Sequence, residues 1–485
     1  MIEISLFVVS LCFLGFLVIK GTPGQAFVNL YLINFVLQFF ILDVVNQLLS
    51  GYQARTEYSY MAAAMVLSLL YVAVIWALSA LPSFKRTSHA AFEALIHGGY
   101  PVARYAILLW LAFRIYLLGR YGIRSFSYMD PFEHGVGQGS PLSYAETVCL
   151  MALLYLASGA VMAFVIQLAL RSYRGISLLE WSLLIVFFGF ILLGEAPLGV
   201  RRTVILYAMI FLTTYAMTKN KSWKAVGIAL GIGVVGIAFV QYYQQIRFNA
   251  QNPEIHRLLS SGNVSDILSG LVAYLTPGTQ PGTGHGFRSG GLDYLATSIK
   301  WVEQSGRIMG GSLLTFALHM VVPSAFLSGG KPRMDIDTYV TNFFRKEETD
   351  YSANILANLY VDLGVFSIVF SPLLWWATIY MMLFILSKAR TNGPLALGVS
   401  GMIFGMLSLA EGSLIALFVY MRDIFVVLPI FFLVGLVVGK SRAITEEHGA
   451  PGIGNSTPAV QSALSGAGHG SVRYPLLQAK SNRDD

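Results

Sequence analysis

Long apolar runs alternate with short polar segments along most of this chain. A helical run needs about 20 residues to cross ~30 Å of hydrocarbon, and somewhat fewer when its end residues reach the interface. We therefore predict an all-α polytopic membrane protein with about eleven transmembrane helices. The runs are residues 4–19, 26–45, 59–81, 100–119, 145–170, 178–194, 203–218, 225–244, 365–387, 395–418 and 424–439.

The longest interval without such a run is residues 245–364. Two of its stretches, 266–275 and 292–304, have the pattern of short amphipathic helices. We therefore expect a large loop region built of short helices, which we call the insert.

The insert divides the chain into membrane helices at 1–244 and at 365–440. Residues 441–485 are rich in Gly, Ser, Ala and Pro and show no periodicity, which predicts a disordered tail.

Lys and Arg collect in alternate loops, as expected for cytoplasmic loops. With eleven spans, this pattern predicts that the N-terminus and the insert lie outside and the C-terminus lies in the cytoplasm. The basic residues are Lys20; Lys85 and Arg86; Arg171 and Arg174; Lys219, Lys221 and Lys224; Lys388 and Arg390; Lys440 and Arg442.

Composition agrees with a lipid environment, because 55% of residues are hydrophobic, 12% are charged and the mean hydropathy is +0.64. The two cysteines, Cys12 and Cys149, lie in apolar runs, which excludes a disulfide framework or a zinc site. The net charge of +7 comes from dispersed basic residues rather than from a basic patch, so we expect no nucleic-acid partner.

The loops predicted to lie outside favour Arg strongly over Lys. Arg forms bidentate contacts with phosphate and carboxylate groups, which suggests an anionic ligand such as a lipid-linked pyrophosphate. The alternative is that these side chains reach the interface and form surface ion pairs. The arginines are Arg55, Arg120, Arg124, Arg201, Arg202, Arg247, Arg257, Arg288, Arg307, Arg333, Arg345 and Arg422, against Lys300, Lys331 and Lys346.

Arg201 and Arg202 follow a Pro/Gly turn at the predicted start of a span, where helix N–H groups would add positive potential. They form a candidate pyrophosphate clamp, or else pair with Glu195. Arg422 and Asp423 lie in what we interpret as the last outside turn, 420–423. Arg422 would point into the same site, or the two would neutralise each other.

Three residues are candidates for a general base, and the sequence leaves the choice open. Glu411 lies in the predicted tenth span, where an ionisable group usually faces a cavity or a partner. Asp423 adjoins Arg422. His285 stands in a glycine-rich loop.

Asn358, Tyr360 and Asp362 precede the ninth span at helix-compatible spacing. Such side chains suit sugar hydroxyls, and they equally suit helix capping and packing.

The chain has no P-loop, GxSxG, HExxH or Rossmann glycine pattern and no clustered metal ligands. We therefore expect no cofactor and no metal, and a substrate that is already activated.

This layout resembles the bacterial O-antigen and exopolysaccharide repeat-unit polymerases of the Wzy type. The similar features are many helices, an Arg-bearing turn at 199–202, a large loop in the second half, Pro323 and Pro332, and the segment 358–364 before the next helix.

The resemblance implies a metal-independent glycosyltransferase with a GT-C-like helical fold in the bacterial inner membrane. Its substrates would be glycans on undecaprenyl pyrophosphate, and a chain-length-regulating membrane protein is a possible partner. The acceptor hydroxyl would attack the anomeric carbon, and the lipid pyrophosphate would leave near Arg201, Arg202, Arg422 and Arg345.

Two alternatives stay open. An O-antigen ligase, which transfers the finished glycan to a lipid A core, has a similar layout. A transporter or flippase would show broken helices and repeated halves, and the sequence has no internal repeat.

Overall fold

The computed structural model describes residues 26–36, 57–121, 142–171, 177–194, 206–208, 210–211, 214–215, 253–259, 263–275, 291–322, 336–346, 354–408 and 413–448. Within these ranges the regular elements are all helical. The α-helices are α1 (Ala26–Val36), α2 (Tyr58–Ser79), α3 (Pro82–Ala94), α4 (Tyr100–Tyr121), α5 (Tyr144–Arg171), α6 (Leu178–Gly194), α7 (Pro253–Leu259), α8 (Val264–Leu275), α9 (Gly291–Ser305), α10 (Ser312–Val321), α11 (Ile336–Phe344), α12 (Ile355–Leu363), α13 (Ser367–Lys388), α14 (Gly393–Ser408) and α15 (Leu414–His448).

Five helical segments of the described chain are long and apolar enough to cross a membrane, which agrees with a helical membrane protein. They are Ser59–Ser79, Pro82–Tyr121, Ala145–Leu170, Ile355–Lys388 and Leu414–Val437. Other expected spans correspond to shorter apolar helices or lie outside the described residues. The count of eleven and the GT-C-like arrangement remain predictions.

The segment with Lys85 and Arg86, expected to be a loop, is instead helical. Pro82 occupies the first turn of α3, where its missing N–H costs nothing. A π-helical turn, Leu95–Gly99, connects α3 to α4. The buried Phe84 stacks on Trp376 and Tyr380 of α13, with ring centroids 5.9 and 5.8 Å away. The prediction of a loop was wrong because α3 is an amphipathic helix. One side of it packs on α13, so it can be helical without being apolar throughout.

The two last expected spans also differ from the structure. Helix α14 ends at Ser408, and Ser413 is not helical, so the predicted span 395–418 is interrupted. Helix α15 then runs without a break through residues 420–423, where we expected a turn. The helix also continues to His448, eight residues into the segment expected to be a disordered tail. The chain divides into two compact units, Met1–Gly435 and Leu436–Asp485.

Aromatic side chains connect α1, α2 and α13. The hydroxyl groups of Tyr31 and Tyr71 form a 2.8 Å hydrogen bond inside the protein. Tyr31 also stacks on the fully buried Trp375, with ring centroids 3.8 Å apart. Pairing the two hydroxyls removes the cost of burying each alone.

Glycines bring α5 and α14 into close backbone contact. A Cβ at Gly159 would collide with the carbonyl of Leu397, and a Cβ at Gly401 with the carbonyl of Tyr155. Small residues at such a contact let membrane helices approach closely, and dispersion contacts between them then stabilise the pair.

A stripe of three buried polar side chains on α12 contacts the ends of other helices. We call Asn354, Asn358 and Asp362 the α12 polar stripe. Asn354 caps its own helix through the N–H of Ala357 and donates to the carbonyl of Gly291, the first residue of α9.

The other two members of the stripe accept hydrogen bonds from helix starts. The Asn358 Oδ1 accepts from the N–H of Leu414, the first residue of α15, at 3.1 Å. The Asp362 carboxylate accepts from the N–H groups of Gly311, Leu313 and Leu314 at 2.9–3.1 Å, where α10 begins. These N–H groups have no partner within their own helix, so the stripe satisfies them.

Replacing Asp362 should therefore destabilise the protein in a graded way. Asp362→Ala leaves one buried and two partly buried N–H groups without an acceptor and should lower the free energy of unfolding by about 2–3 kcal/mol. Asp362→Asn keeps one oxygen and should cost less. Unfolding by SDS in mixed micelles measures both; equal stabilities for the wild type and Asp362→Ala would contradict the capping role.

Gly401→Ala should also destabilise the protein, because its methyl group would collide with the Tyr155 carbonyl and push α5 and α14 apart. We expect a loss of about 1–3 kcal/mol in the same unfolding assay. Gly189→Ala is the matched control, since a Cβ there meets nothing within 4 Å. A loss no larger than that of the control would show that the two helices do not touch at Gly401.

Candidate functional site

Arg422 and Asp423 form a charge pair within α15. Both the Nε and the Nη2 of Arg422 donate to Oδ1 of Asp423, at 3.0 and 2.8 Å. The Asp423 side chain is 2% exposed and that of Arg422 is 23% exposed. The pair thus places a buried carboxylate beside a partly exposed arginine side chain.

Tyr155 of α5 completes this cluster from a neighbouring helix. Its hydroxyl donates a 2.7 Å hydrogen bond to Oδ2 of Asp423. Each oxygen of Asp423 therefore has a donor, which is what allows a carboxylate to remain buried. We call Tyr155, Arg422 and Asp423 the α5–α15 polar cluster.

Glycines of α14 make room for the aromatic rings beside the cluster. Tyr420 lies next to Tyr155, with ring centroids 6.2 Å apart. A Cβ at Gly405 would collide with the Tyr420 hydroxyl, and Gly401 lies against the Tyr155 backbone. The sequence spacing Gly401-x-x-x-Gly405 therefore positions both tyrosines around Asp423.

The cluster lies well inside a candidate span. Asp423 is nine residues after Leu414, or about 13 Å along the helix at 1.5 Å per residue. Ionisable groups at such a position in a membrane helix are rare and usually mark a substrate or ion pathway. Apolar residues of similar volume would fill the same space at similar stability, so the charge pair is not required for folding.

The structure brings together two predicted site residues, Arg422 and Asp423, but not in the expected setting. They lie inside a continuous helix rather than in a turn. Both Asp423 oxygens are bonded within the protein, so in this conformation the carboxylate orients Arg422 instead of meeting a substrate hydroxyl. A role for Asp423 as base remains a prediction.

Arg345 lies at the end of α11 and is exposed. Its φ of 55° places it in the left-handed region, and the bonds from its N–H to Asn342 and from the Lys346 N–H to Thr341 form a Schellman end. No hydrogen bond or ion pair connects its side chain to the described part of the chain. The structure therefore does not bring Arg345 into contact with Arg422 or Asp423.

The predicted sugar-binding residues belong to α12 and face inward. Asn358 and Asp362 are fully buried and Tyr360 is 8% exposed. The α12 polar stripe uses Asn358 and Asp362 for capping, which was the alternative that the sequence left open. Sugar binding by these three residues stays a prediction, and it would need a conformation that exposes them.

The remaining predicted site residues, Glu411, His285, Arg201 and Arg202, lie outside the described residues. Their positions relative to the α5–α15 polar cluster therefore stay predictions.

Sequence reasoning missed Tyr155, because a tyrosine in an apolar span carries no distinctive signal. It also missed a second polar group, in which Glu146 at the start of α5 accepts hydrogen bonds from Tyr116, Arg120, Tyr121 and Ser143. The spacing Ser143-x-x-Glu146 is that of a capping box and could have been recognised. This group stabilises the ends of α4 and α5.

No protein-family model matches this chain, and no curated protein or solved structure resembles it at a significant level.

Removing one member of the charge pair should cost more stability than removing both. Asp423→Ala leaves a partly buried guanidinium without its carboxylate and should lower the free energy of unfolding by up to about 3 kcal/mol. The double variant Arg422→Leu with Asp423→Leu should recover most of this loss. A double-mutant cycle with the single variants Arg422→Leu and Asp423→Leu measures the coupling, and strictly additive effects would mean that the pair contributes no interaction energy.

Proposed function

We propose that this chain is a polysaccharide polymerase: a membrane glycosyltransferase that joins oligosaccharide repeat units carried on undecaprenyl pyrophosphate. Its setting would be the bacterial inner membrane, with the N-terminus and insert in the periplasm and the C-terminus in the cytoplasm. A chain-length-regulating membrane protein is the partner that such an enzyme would have. The proposal rests on the resemblance in layout together with the α5–α15 polar cluster.

The observation that carries the proposal is the bonding of Arg422, whose side chain is 23% exposed. Asp423 accepts one hydrogen bond each from Nε and Nη2, and Nη1 has no hydrogen-bond partner among the described residues. An oriented guanidinium with one free edge suits a diphosphate oxygen, because Arg contacts with phosphate are charge-assisted and directional.

In the proposed reaction, the acceptor hydroxyl attacks the anomeric carbon and forms the new glycosidic bond. The bond from that carbon to the carrier breaks, and the pyrophosphate leaves with the electron pair. Fixed cations near the leaving oxygen stabilise the developing charge, and Arg422, Arg201, Arg202 and Arg345 are the candidates.

The hydroxyl proton passes to a base. Because both Asp423 oxygens are already bonded, we propose Glu411 or His285 for this role rather than Asp423. We assign Asp423 the task of holding Arg422 in place.

Hydrogen bonds between the insert and a membrane helix support the proposed polymerase function. The α12 polar stripe connects α9 and α10 of the insert to the first residue of α15. Arg422 lies eight residues, about two turns, further along that helix. Saccharide binding over the insert would therefore act on a helix that carries the anion contact.

One observation favours a second candidate, a transporter or flippase of the same class of lipid-linked saccharide. The charge pair lies inside a helix rather than at its periplasmic end, and buried charged groups along a span are a feature of transport pathways. An O-antigen ligase would use the same donor with a lipid A core as acceptor.

A reconstituted assay distinguishes the three functions. The purified chain in liposomes with lipid-linked repeat units alone should produce a ladder of longer glycans if it is a polymerase. Transfer that requires added lipid A core would identify a ligase. Movement of the lipid-linked units across the bilayer without any new glycosidic bond would identify a transporter, and this outcome would overturn the proposal.

Arg422→Lys and Arg201→Ala should each slow ladder formation by roughly 10²-fold. Arg422→Lys keeps the charge but loses the planar guanidinium and its directional contacts, and Arg201→Ala removes a proposed cation from the departing diphosphate. Arg104→Ala is the control, since Arg104 is exposed and bonds its neighbour Tyr105. The size-exclusion profile of each variant is compared with that of the wild type to check that the variant is folded. Full activity in Arg422→Lys would contradict a direct role for its guanidinium.

A further inference from the structure

Helix α10 of the insert exposes a stripe without Asp, Glu, Lys or Arg on one side. The spacing 315, 318 and 319 corresponds to one helix face, whose members are Thr315, Leu318 and His319, and Val322 directly after the helix is also exposed. The Thr315 hydroxyl already donates to the Gly311 carbonyl at 2.9 Å, so it does not require water. The opposite face is buried, through Leu313, Phe316, Ala317 and Val321.

The start of α10 is fixed beside the end of α12. Besides the carboxylate of Asp362, the N–H of Met309 bonds the carbonyl of Val361 and the N–H of Gly310 bonds the carbonyl of Asp362, both at 2.9 Å. Helix α10 therefore begins where the chain turns through Gly364 into α13.

The turn at Gly364 is also where the buried side chains of α12 give way to exposed apolar side chains. From Ile355 to Asp362 the side chains of α12 are buried, whereas Val365 is 67% and Phe366 82% exposed. The exposed apolar stripe continues down α13 through Val369, Phe370 and Leu373. From residue 365 to Lys388 the chain spans about 36 Å, enough to cross the hydrocarbon, so the bilayer surface lies near Gly364.

Exposed apolar surface is also present on the insert at this level. Ile308 is 45% exposed, and its Cγ2 would lie 3.5 Å from a Cβ on Gly364. The lipid-facing stripe of α13 is thus continuous with Ile308 and reaches the position where α10 starts.

We infer that α10 is an interfacial helix whose exposed stripe contacts the lipid of the leaflet next to Gly364. Ten residues extend only about 15 Å and do not cross a bilayer. A stripe of Thr, Leu and His side chains suits the boundary between head groups and acyl chains. The insert would then contact the membrane through α10 in addition to the membrane helices at its two ends. This inference does not depend on the proposed enzyme activity.

Spin-label accessibility tests the inference. The full-length chain, with Cys12 and Cys149 replaced by Ser, is reconstituted in phosphatidylcholine–phosphatidylglycerol vesicles with a nitroxide at Leu318→Cys. Leu373→Cys on α13 is the lipid-exposed reference, and Gln304→Cys, exposed on α9, is the water-exposed control. The label at position 318 should be relaxed by oxygen and protected from a water-soluble nickel chelate, as at position 373.

Two outcomes would overturn the inference. A label at position 318 that is as accessible to nickel as the one at position 304 would place α10 in water. A label protected from both reagents, with dipolar broadening that disappears on dilution with unlabelled protein, would place a second copy of the chain against the stripe.

Discussion

The described structure depends on hydrogen bonds from the α12 polar stripe to the ends of other helices. A helix start has N–H groups with no partner in its own helix, and neither lipid nor a packed protein interior supplies one. Asn358 and Asp362 supply acceptors to α15 and α10, and Asn354 contacts the start of α9. Because all three side chains come from one short helix, they fix these helix ends relative to one another.

The charge pair depends on a similar condition. A buried carboxylate is stable only when its oxygens have donors, and Asp423 obtains them from Arg422 and from Tyr155. The bond from Tyr155 requires α5 to lie close to α14 and α15, which Gly401 permits. Backbone packing and the chemistry of the candidate site are therefore coupled.

The sequence predicted the elements that depend on local pattern. The apolar runs at 59–81, 145–170 and 365–387 correspond to helices α2, α5 and α13, and the two amphipathic stretches of the insert correspond to α8 and α9. The turn at 420–423 was predicted because an Arg–Asp pair in an apolar run usually marks a helix end. The helix continues because the pair is neutralised internally and bonded by Tyr155, which is 268 residues away in sequence. Such partners leave no trace in a local pattern, and for the same reason the sequence left capping and sugar binding undecided for Asn358 and Asp362.

The two roles that the sequence assigned to this pair constrain each other. The N–H groups of Nε and Nη2 that face Asp423 cannot bind a diphosphate without leaving the carboxylate, and a buried carboxylate without its cation is costly. The negative charge of the diphosphate would increase that cost. If a diphosphate binds through Nη1 and the second N–H of Nη2, the pair remains intact. If a diphosphate takes the whole guanidinium and Asp423 gains a proton to offset the lost contacts, anion binding and proton transfer are linked at one position of α15.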